Sequence, residues 1–263
     1  MKFIFADSLD FVDPNFDFIE DRSSPSREIY WDDKFPHEMM SKAPYDGMLV
    51  SKAIVGGSKI SGRYTDAQAM MFNRVGAREF LRYREKDFPK SMMIGDCGAF
   101  SYHKMETPPY SPAEMVDFYG DGEFTHGCSV DHVIFDFVPD DQVGSLGNEQ
   151  LAENRRRFES TSENAQLFLK ESARLGNRFT PMGVIQGWSP GSMAQAALRL
   201  KKMGFTYLAV GGMVPLRTPQ IKTALKAIRE LVGNDIQLHI LGFAKADQID
   251  EFKDYNITSF DST

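Results

Sequence analysis

The stretch NITSFDST, residues 256–263, decides the fold, because it adds an eighth strand to a chain in which seven others precede it. Each of the eight segments is short and largely apolar, and no hairpin turn joins one to the next: KFIFA (2–6), GMLVSKAIV (47–55), SMMIGDCG (91–98), HVIFDF (132–137), FTPMGVIQG (179–187), TYLAVGGM (206–213), IQLHILGF (236–243) and ITSFDS (257–262). Strands of this kind are buried on both faces of a parallel sheet. Eight of them in β/α order predict an α/β fold, a (β/α)8 TIM-type barrel.

Helical segments lie between these strands. Three helix starts share a capping residue followed by proline: Ser111-Pro112, Ser189-Pro190 and Thr218-Pro219. A long helix is predicted from Glu149 to about Leu175, and a short one from Ala246. A doubly wound open sheet is the main alternative, but no Gly-x-Gly-x-x-Gly turn follows a first strand to support it.

The whole chain, residues 1–263, is predicted to be a single barrel domain. Residues 10–46, between the first two strands, are rich in Asp, Pro, Ser and aromatic residues, so we expect an irregular elaboration of the barrel there. No helix follows strand eight in this sequence, so the closing eighth helix is expected to be absent and the outer face of that strand to be exposed. A truncated chain, a split gene product or a second chain that completes the barrel would each explain this.

Composition excludes several classes of protein. The hydrophobic fraction of 42% is enough for a sizeable core, so disorder is not expected for most of the chain. The net charge of −7 argues against nucleic-acid binding by bulk electrostatics, although it allows a local basic patch. Cys97 and Cys128 are too few for a disulfide framework or a zinc cluster, and they indicate a reducing, cytoplasmic setting. No signal peptide and no membrane span is predicted.

In a parallel barrel the active site lies at the carboxyl ends of the strands, so the residues that end each strand are the candidates. Acidic, amide and glycine residues occupy these positions: Asp96, Asp136, Gln186 with Gly187, Gly211 with Gly212, Gly242, and Asp261. An aspartate after a strand is often only a helix cap or a turn former, and glycines commonly serve tight turns. Three carboxylates that face one barrel mouth would repel one another without a ligand between them, which favours a binding site.

Two kinds of chemistry suit such a site. A metal site is one alternative, but no histidine cluster joins the aspartates at the strand ends, and His239 in mid-strand is expected in the core, so no metal is predicted. Paired carboxylates also serve chemistry at a sugar C1′, where one attacks and another transfers protons. Gln186, an aspartate and a glycine N–H match the polar edge of a purine-like base. Cys97 is a weaker alternative nucleophile, because a thiolate needs a paired base.

Six short motifs, in order along the predicted barrel, resemble the tRNA-guanine transglycosylase superfamily: DCGAF (96–100), FD (135–136) followed by Pro139, GVIQG (183–187), AVGGM (209–213), ILG (240–242) and SFD (259–261). The N-terminal half is more similar to one branch, the 7-deazaguanine DNA transglycosylases (DpdA). The segments that resemble this branch are MKFIFADSLDFVDP (1–14), YWDDKFPHE (30–38), APYDGMLVSKAIV (43–55), GDCGAFSY (95–102) and FTHGCSVDHVIFDF (124–137).

The resemblance implies a pentosyltransferase that removes guanine from DNA and inserts a 7-deazaguanine such as 7-cyano-7-deazaguanine (preQ0), through a covalent aspartyl-glycosyl intermediate. It implies Asp261 as the nucleophile at C1′ and Asp96 as the acid/base. Further contacts to the base are implied for six residues: Asp136 and Gln186 at the purine edge, the backbone of Gly211 and Gly212 at the exocyclic oxygen, and Phe100 and Leu241 on the two sides of the ring.

The partners implied are DNA, the deazaguanine base and helper proteins of a DNA-modification cluster, in the cytoplasm of a bacterium or from a phage genome, with no membrane. A base within a duplex would have to be flipped out. Basic residues on two predicted helices are candidates for contacts to the DNA backbone, although such runs usually form a solvated helix face: Arg155, Arg156, Arg157, Lys201 and Lys202.

The sequence also departs from the tRNA enzymes. Their zinc cluster, Cys-x-Cys-x-x-Cys with a histidine, does not occur in this chain, so no cofactor is predicted. Cys97 stands where those enzymes have a serine, and Ala99 where they have a glycine. Two alternatives stay open, namely a guanine transglycosylase that acts on tRNA and a non-catalytic base-binding subunit.

Overall fold

Eight parallel strands form one closed barrel within residues 1–176, 178–243 and 245–262, the ranges that the computed structural model describes. The strands are β1 (Lys2–Ala6), β2 (Gly47–Ser51), β3 (Met92–Asp96), β4 (His126–Cys128), β5 (Thr180–Ile185), β6 (Tyr207–Val210), β7 (Gln237–Ile240) and β8 (Ser259–Ser262). Each strand pairs with the next in chain order, and β8 pairs with β1, with Ile4 opposite Asp261. The predicted (β/α)8 barrel is confirmed.

Helices surround this barrel. The α-helices are α1 (Pro36–Met39), α2 (Lys52–Val55), α3 (Asp66–Val75), α4 (Ala77–Phe80), α5 (Pro112–Asp121), α6 (Asn148–Arg174), α7 (Pro190–Met203) and α8 (Thr218–Val232), and 3-10 helices span Ala99–Tyr102, Asp140–Ser145 and Ala246–Tyr255. Two predicted caps are confirmed, because the hydroxyls of Ser111 and Ser189 accept hydrogen bonds from backbone N–H groups in the first turns of α5 and α7. None of these helices is long and apolar enough to cross a membrane.

The fourth strand differs from its prediction. The segment HVIFDF (132–137) was expected to form it, but β4 is the earlier His126–Cys128. After Cys128 the chain leaves the sheet while staying buried, and side chains replace a strand neighbour as hydrogen-bond partners. The N–H of His132 donates to Thr161 Oγ1 (3.0 Å) and that of Ile134 to Gln186 Oε1 (3.0 Å). An apolar run can be buried without being a strand when such acceptors are present.

Two apolar layers hold the barrel together. One fills its interior with small and medium side chains such as Ile4, Ile94 and Ala209, and the other packs the helices against its outside. The expectation that the outer face of strand eight is exposed is wrong at Phe260, which is only 9% exposed. Its ring lies 5.4 Å from that of Phe3 and 5.6 Å from that of Phe243, so neighbouring strands and their loops cover it.

Residues 10–46 contain little regular secondary structure. Apart from helix α1, they contain isolated bridges that join Val12 to Lys34 and Asp17 to Arg22. Tyr30 attaches the segment to the barrel, since its hydroxyl donates to the carbonyl of Phe80 (3.1 Å) and its ring stacks on that of Phe80. The segment is therefore packed on the barrel as an elaboration of the β1–β2 connection.

Candidate active site

A cavity of about 290 Å³ opens at the C-terminal ends of the strands. Eight residues that the sequence places in a site line it: Asp96, Phe100, Gln186, Gly211, Gly212, Leu241, Gly242 and Asp261. They come from five strand ends and their loops, which the barrel closure brings to one rim. The cavity is therefore where the strand-end candidates meet.

Asp261 is buried at the tip of β8 and offers one carboxylate oxygen to the cavity. Its Oδ1 accepts from the N–H of Gly242 (3.1 Å) and lies 3.0 Å from His239 Nε2. No hydrogen bond to Oδ2 is found among the described residues. A carboxylate that is held by one oxygen and free at the other is suited to nucleophilic attack.

Asp96 ends β3, and both of its short hydrogen bonds are to one oxygen. Its Oδ2 accepts from the N–H of Gly98 (2.8 Å) and from the hydroxyl of Ser51 (3.0 Å). Burial raises the pKa of Asp96, and the charge of Asp261 raises it further, against the lowering effect of these two donors. A carboxyl group with a raised pKa keeps its proton to higher pH than an ordinary aspartate does, and is a candidate general acid.

Asp131 is a third buried acid in the cavity wall, and the sequence prediction missed it. Its Oδ2 accepts from Gln186 Nε2 (2.7 Å), and its Oδ1 accepts from the thiol of Cys97 (3.1 Å). Burial and the nearby Asp96 raise the pKa of Asp131 to about 7. The sequence contains a signal for Asp131, which comes three residues after the end of β4, but the prediction places this strand six residues too late.

The structure does not bring Asp136 into the cavity. Its carboxylate lies against the start of α6, where it accepts from Gln150 Nε2 (2.6 Å) and Asn154 Nδ2 (2.7 Å). Gly187 is also outside the cavity, because it lies beneath the first turn of α7. A Cβ there would come within 2.7 Å of the backbone N of Met193, so packing is sufficient to explain that glycine.

The glycines that end β6 serve Gln186 as well as the cavity. A Cβ on Gly211 would lie 2.4 Å from Gln186 Nε2, so only glycine leaves room for that amide. The N–H of Gly211 donates to the carbonyl of Ile185 (3.0 Å) and is thereby used in the barrel. Gly212 follows with a positive φ of 72° and turns the backbone out of the strand.

Apolar side chains flank the mouth of the cavity. The ring of Phe100 is 64% exposed and makes an edge contact with Phe135, whose ring is also in the wall. Leu241, at the end of β7, lies in the wall too. Phe135 is not among the predicted site residues, because its segment is predicted to be a strand whose site residue is Asp136.

A fourth carboxylate and a basic residue complete the wall, and neither was predicted. Asp7 follows β1, is buried, and accepts from the hydroxyl of Tyr64 (2.7 Å) and the N–H of Leu9 (3.1 Å). Burial raises the pKa of Asp7 to about 6. Arg63 lines the cavity and is exposed. Applying the strand-end rule to KFIFA would have found Asp7.

The basic residues that were candidates for contacts to DNA lie outside the cavity wall. Arg156 and Arg157 pair with Glu153 on their own helix (2.7 Å each), and Lys201 donates to the carbonyl of Val232 (2.7 Å). The other two, Arg155 and Lys202, are exposed. Three of the five therefore already have intramolecular partners. This supports the alternative interpretation, in which these residues form an ordinary solvated helix face and do not contact DNA.

Asp96, Cys97 and Asp131 could be considered as metal ligands, since their donor atoms lie within 4.8 Å of one another. Burial and the neighbouring carboxylates raise the pKa of the Cys97 thiol well above its usual range. A metal ligand must be a thiolate, whereas this thiol donates its proton to Asp131 and accepts a hydrogen bond from Tyr102 (2.9 Å). The donor set therefore suits a hydrogen-bonded cluster better than a metal.

The raised pKa of Asp131 predicts an effect on stability. The folded state binds this proton more tightly than the unfolded chain, so the free energy of unfolding falls as pH rises from about 4 to about 7. Asp131→Asn removes the buried charge, and each unit of pKa corresponds to about 1.4 kcal/mol. We expect a higher Tm than that of the wild type at pH 8 and a much smaller difference at pH 5, measured by thermal unfolding. An equal difference at both pH values would contradict this account.

The chain is similar over its whole length to part of a curated protein. No family model matches the chain. The chain is 41% identical, over 265 aligned positions, to a curated protein of Salmonella montevideo named DNA-guanine transglycosylase. The alignment covers the whole chain but 61% of that protein, so the chain spans about three-fifths of the length of this relative. The similarity extends over the entire barrel, including the strand ends that line the acidic cavity.

Proposed function

We propose that the chain contains the active site of a transglycosylase that exchanges guanine in DNA for a 7-deazaguanine such as preQ0. The observation that supports this most directly is the free oxygen of Asp261 in a cavity whose far wall holds Asp96, Asp131 and Gln186. One carboxylate is thus available to a sugar carbon, while others are available to a base. The N-terminal resemblance to the DpdA branch supports DNA and a deazaguanine as the substrates.

In the first step, Asp261 Oδ2 attacks C1′ of the target nucleotide and forms an ester, while the bond from C1′ to guanine N9 breaks. The departing guanine takes up a proton, and Asp96 is the donor that we assign, because burial and the charge of Asp261 favour its protonated form. The product of this step is a covalent glycosyl-enzyme intermediate, which divides one difficult displacement into two easier ones.

In the second step, the incoming deazaguanine attacks C1′ with its N9, and the ester bond to Asp261 breaks. The N9 proton passes to the Asp96 carboxylate, which restores both groups to their starting states. Two displacements from opposite faces retain the configuration at C1′, as in retaining glycosidases.

The base would be recognised by the wall formed by Asp131, Gln186 and Gly212. A carboxylate accepts hydrogen bonds from the N1–H and the exocyclic amine of a guanine-like edge. Gln186 Nε2 has a second hydrogen besides the one donated to Asp131, and the N–H of Gly211 is already used, so the backbone contact expected of the glycine pair falls to Gly212. Phe100 and Leu241 would cover the two faces of the ring.

DNA as the substrate is supported by the name of the Salmonella montevideo relative. A base inside a duplex cannot reach this cavity, so the nucleotide must be flipped out or single-stranded. Arg63 is exposed at the wall and is the group that we assign to the phosphate next to the flipped nucleotide, in place of the helix residues that already have partners. A guanidinium is suited to this contact because its planar N–H groups match phosphate oxygens.

The function is tested by incubating the chain with preQ0 and either guanine-containing duplex DNA, single-stranded DNA or tRNA. Digestion followed by mass spectrometry then detects the deazaguanine nucleoside. We expect the product in DNA. A product in tRNA alone would favour the tRNA-directed alternative, and binding of preQ0 without a covalent adduct or product would favour a base-binding subunit.

Asp131, rather than Asp136, is expected to contact the base. Asp131→Asn replaces an acceptor with an amide that cannot accept both donors, so the KM for preQ0 should rise about 10-fold or more. Asp136→Asn should leave the KM near that of the wild type, because its carboxylate faces helix α6 and not the cavity. Steady-state kinetics with varied preQ0 measures both. A larger effect at Asp136 than at Asp131 would instead support Asp136 as the residue that contacts the purine edge.

A further inference from the structure

Behind Asp261, three buried side chains form a chain of hydrogen bonds along the inside of the barrel. His239 Nε2 lies 3.0 Å from Asp261 Oδ1, and His239 Nδ1 lies 2.7 Å from Ser259 Oγ. The hydroxyl of Ser259 is in turn 2.6 Å from that of Tyr207. His239 and Ser259 are fully buried, and Tyr207 is 1% exposed, so no solvent competes with these contacts.

The backbone explains why these side chains meet. Ser259 and Asp261 lie two residues apart on β8 and therefore point to the same side of the sheet, which here is the barrel interior. His239 is the direct neighbour of Ser259 in the pairing of β7 with β8, and Tyr207 comes from β6 on the other side of β7. The adjacent strands β6, β7 and β8 thus align these side chains for a continuous series of hydrogen bonds.

The directions of the hydrogen bonds follow from Asp261. An ionised carboxylate only accepts, so the hydrogen between it and His239 is on Nε2. We assign a single hydrogen to the ring, so Nδ1 is an acceptor, Ser259 donates to it, and the Ser259 oxygen accepts from Tyr207. In all three hydrogen bonds the donor is then the residue farther from Asp261, and each of the three acceptors receives one hydrogen.

We propose that His239 is a positioning residue for Asp261, with its tautomer set by Ser259 and Tyr207. This inference rests on the proposed function of Asp261 as the nucleophile. Together with the N–H of Gly242, His239 occupies Oδ1 and thereby makes Oδ2 the attacking oxygen. The same two donors contact the ester carbonyl in the covalent intermediate, since they bind the oxygen that does not bond to C1′.

The hydrogen bonds from His239 and Gly242 matter more when the covalent intermediate is resolved than when it is formed. In the second one the bond from C1′ to Oδ2 breaks and a negative charge returns to the carboxylate, where preorganised N–H groups stabilise it. His239 is therefore needed most when the intermediate is resolved. Its loss should slow turnover and let the covalent adduct between DNA and protein accumulate.

Kinetics of variants of the 263-residue chain test this inference. His239→Ala is expected to lower kcat by about 10²-fold with an unchanged KM for preQ0, and to raise the fraction of protein trapped as a covalent adduct with DNA. His239→Gln retains a donor near the position of Nε2 and should recover part of kcat. Ser259→Ala should have an intermediate effect and Tyr207→Phe the smallest, because their influence on Asp261 is indirect.

A second measurement does not depend on activity. In protein labelled with ¹⁵N-histidine, the ring signals of His239 are assigned by their loss in His239→Gln, and we expect a protonated Nε2 and an unprotonated Nδ1. The opposite tautomer, or a His239→Ala variant with wild-type kcat, would overturn this inference while leaving the proposed function intact. A wild-type chain that exchanges no base, with Asp261→Asn indistinguishable from it, would instead overturn the proposed function and this inference with it.

Discussion

Asp261→Asn is expected to abolish base exchange, with a loss on the order of 10⁴-fold or more in kcat. The amide retains an oxygen that can accept from the N–H of Gly242 and from His239, so the side chain should keep its place. It lacks the nucleophilic carboxylate that would form the ester with C1′. Denaturing electrophoresis of the protein with guanine-containing DNA measures the covalent adduct, and mass spectrometry of digested DNA measures exchange.

Asp254→Asn is a suitable matched control for this experiment. It makes the same chemical change at an exposed position only seven residues earlier, in the 3-10 helix Ala246–Tyr255. It should leave both adduct and product at wild-type levels. If Asp261→Asn still formed the adduct, the nucleophile would be another residue, and Asp96 and Asp131 would be the next candidates in the cavity wall.

Asp96→Asn is expected to lower kcat by about 10²- to 10⁴-fold, the usual range for a general acid or base. The amide can still accept from the N–H of Gly98, so the loss reflects proton transfer more than a collapsed loop. In the wild type, the first step requires the protonated acid, so the rate should fall as pH rises through the raised pKa of Asp96. That falling limb should be absent from the kcat–pH profile of the variant.

Ser51→Ala tests the assignment of the limb to Asp96. The Ser51 hydroxyl donates to Asp96 Oδ2 and lowers its pKa by stabilising the charged form. Removing this donor should shift the falling limb to higher pH while leaving the variant active. If the fall in kcat occurs at the same pH in Ser51→Ala, or persists in Asp96→Asn, it reports the titration of a different acid.

The barrel could be predicted from the sequence because its strands have a pattern that local sequence makes visible. Strands buried on both faces are short apolar runs, and the helices between them start at capping residues such as Ser111 and Ser189. Once the order of strands is known, the parallel barrel places their carboxyl ends on one rim. Asp96 and Asp261 could therefore be assigned to one cavity although 164 positions separate them in the chain.

Local sequence did not distinguish Asp131, which lies in the cavity wall, from Asp136, which does not. HVIFDF (132–137) has the composition of a buried strand, but its backbone is satisfied by the side chains of Thr161 and Gln186, which are 29 and 52 residues away from the N–H groups that they accept. Local sequence does not contain such partners. A strand placed six residues too late then selects Asp136, an aspartate whose carboxylate lies outside the cavity.

His239 shows the same limit for a residue whose burial was predicted correctly. Its mid-strand position indicates the core, and it is fully buried there, but strand register decides that it meets Ser259 on one side and Asp261 on the other. The apolar pattern of the chain thus determines which segments become strands and which carboxylates reach the rim. Pairing between distant strands decides which polar groups touch, because a hydrogen bond depends on positions in space that local sequence does not specify.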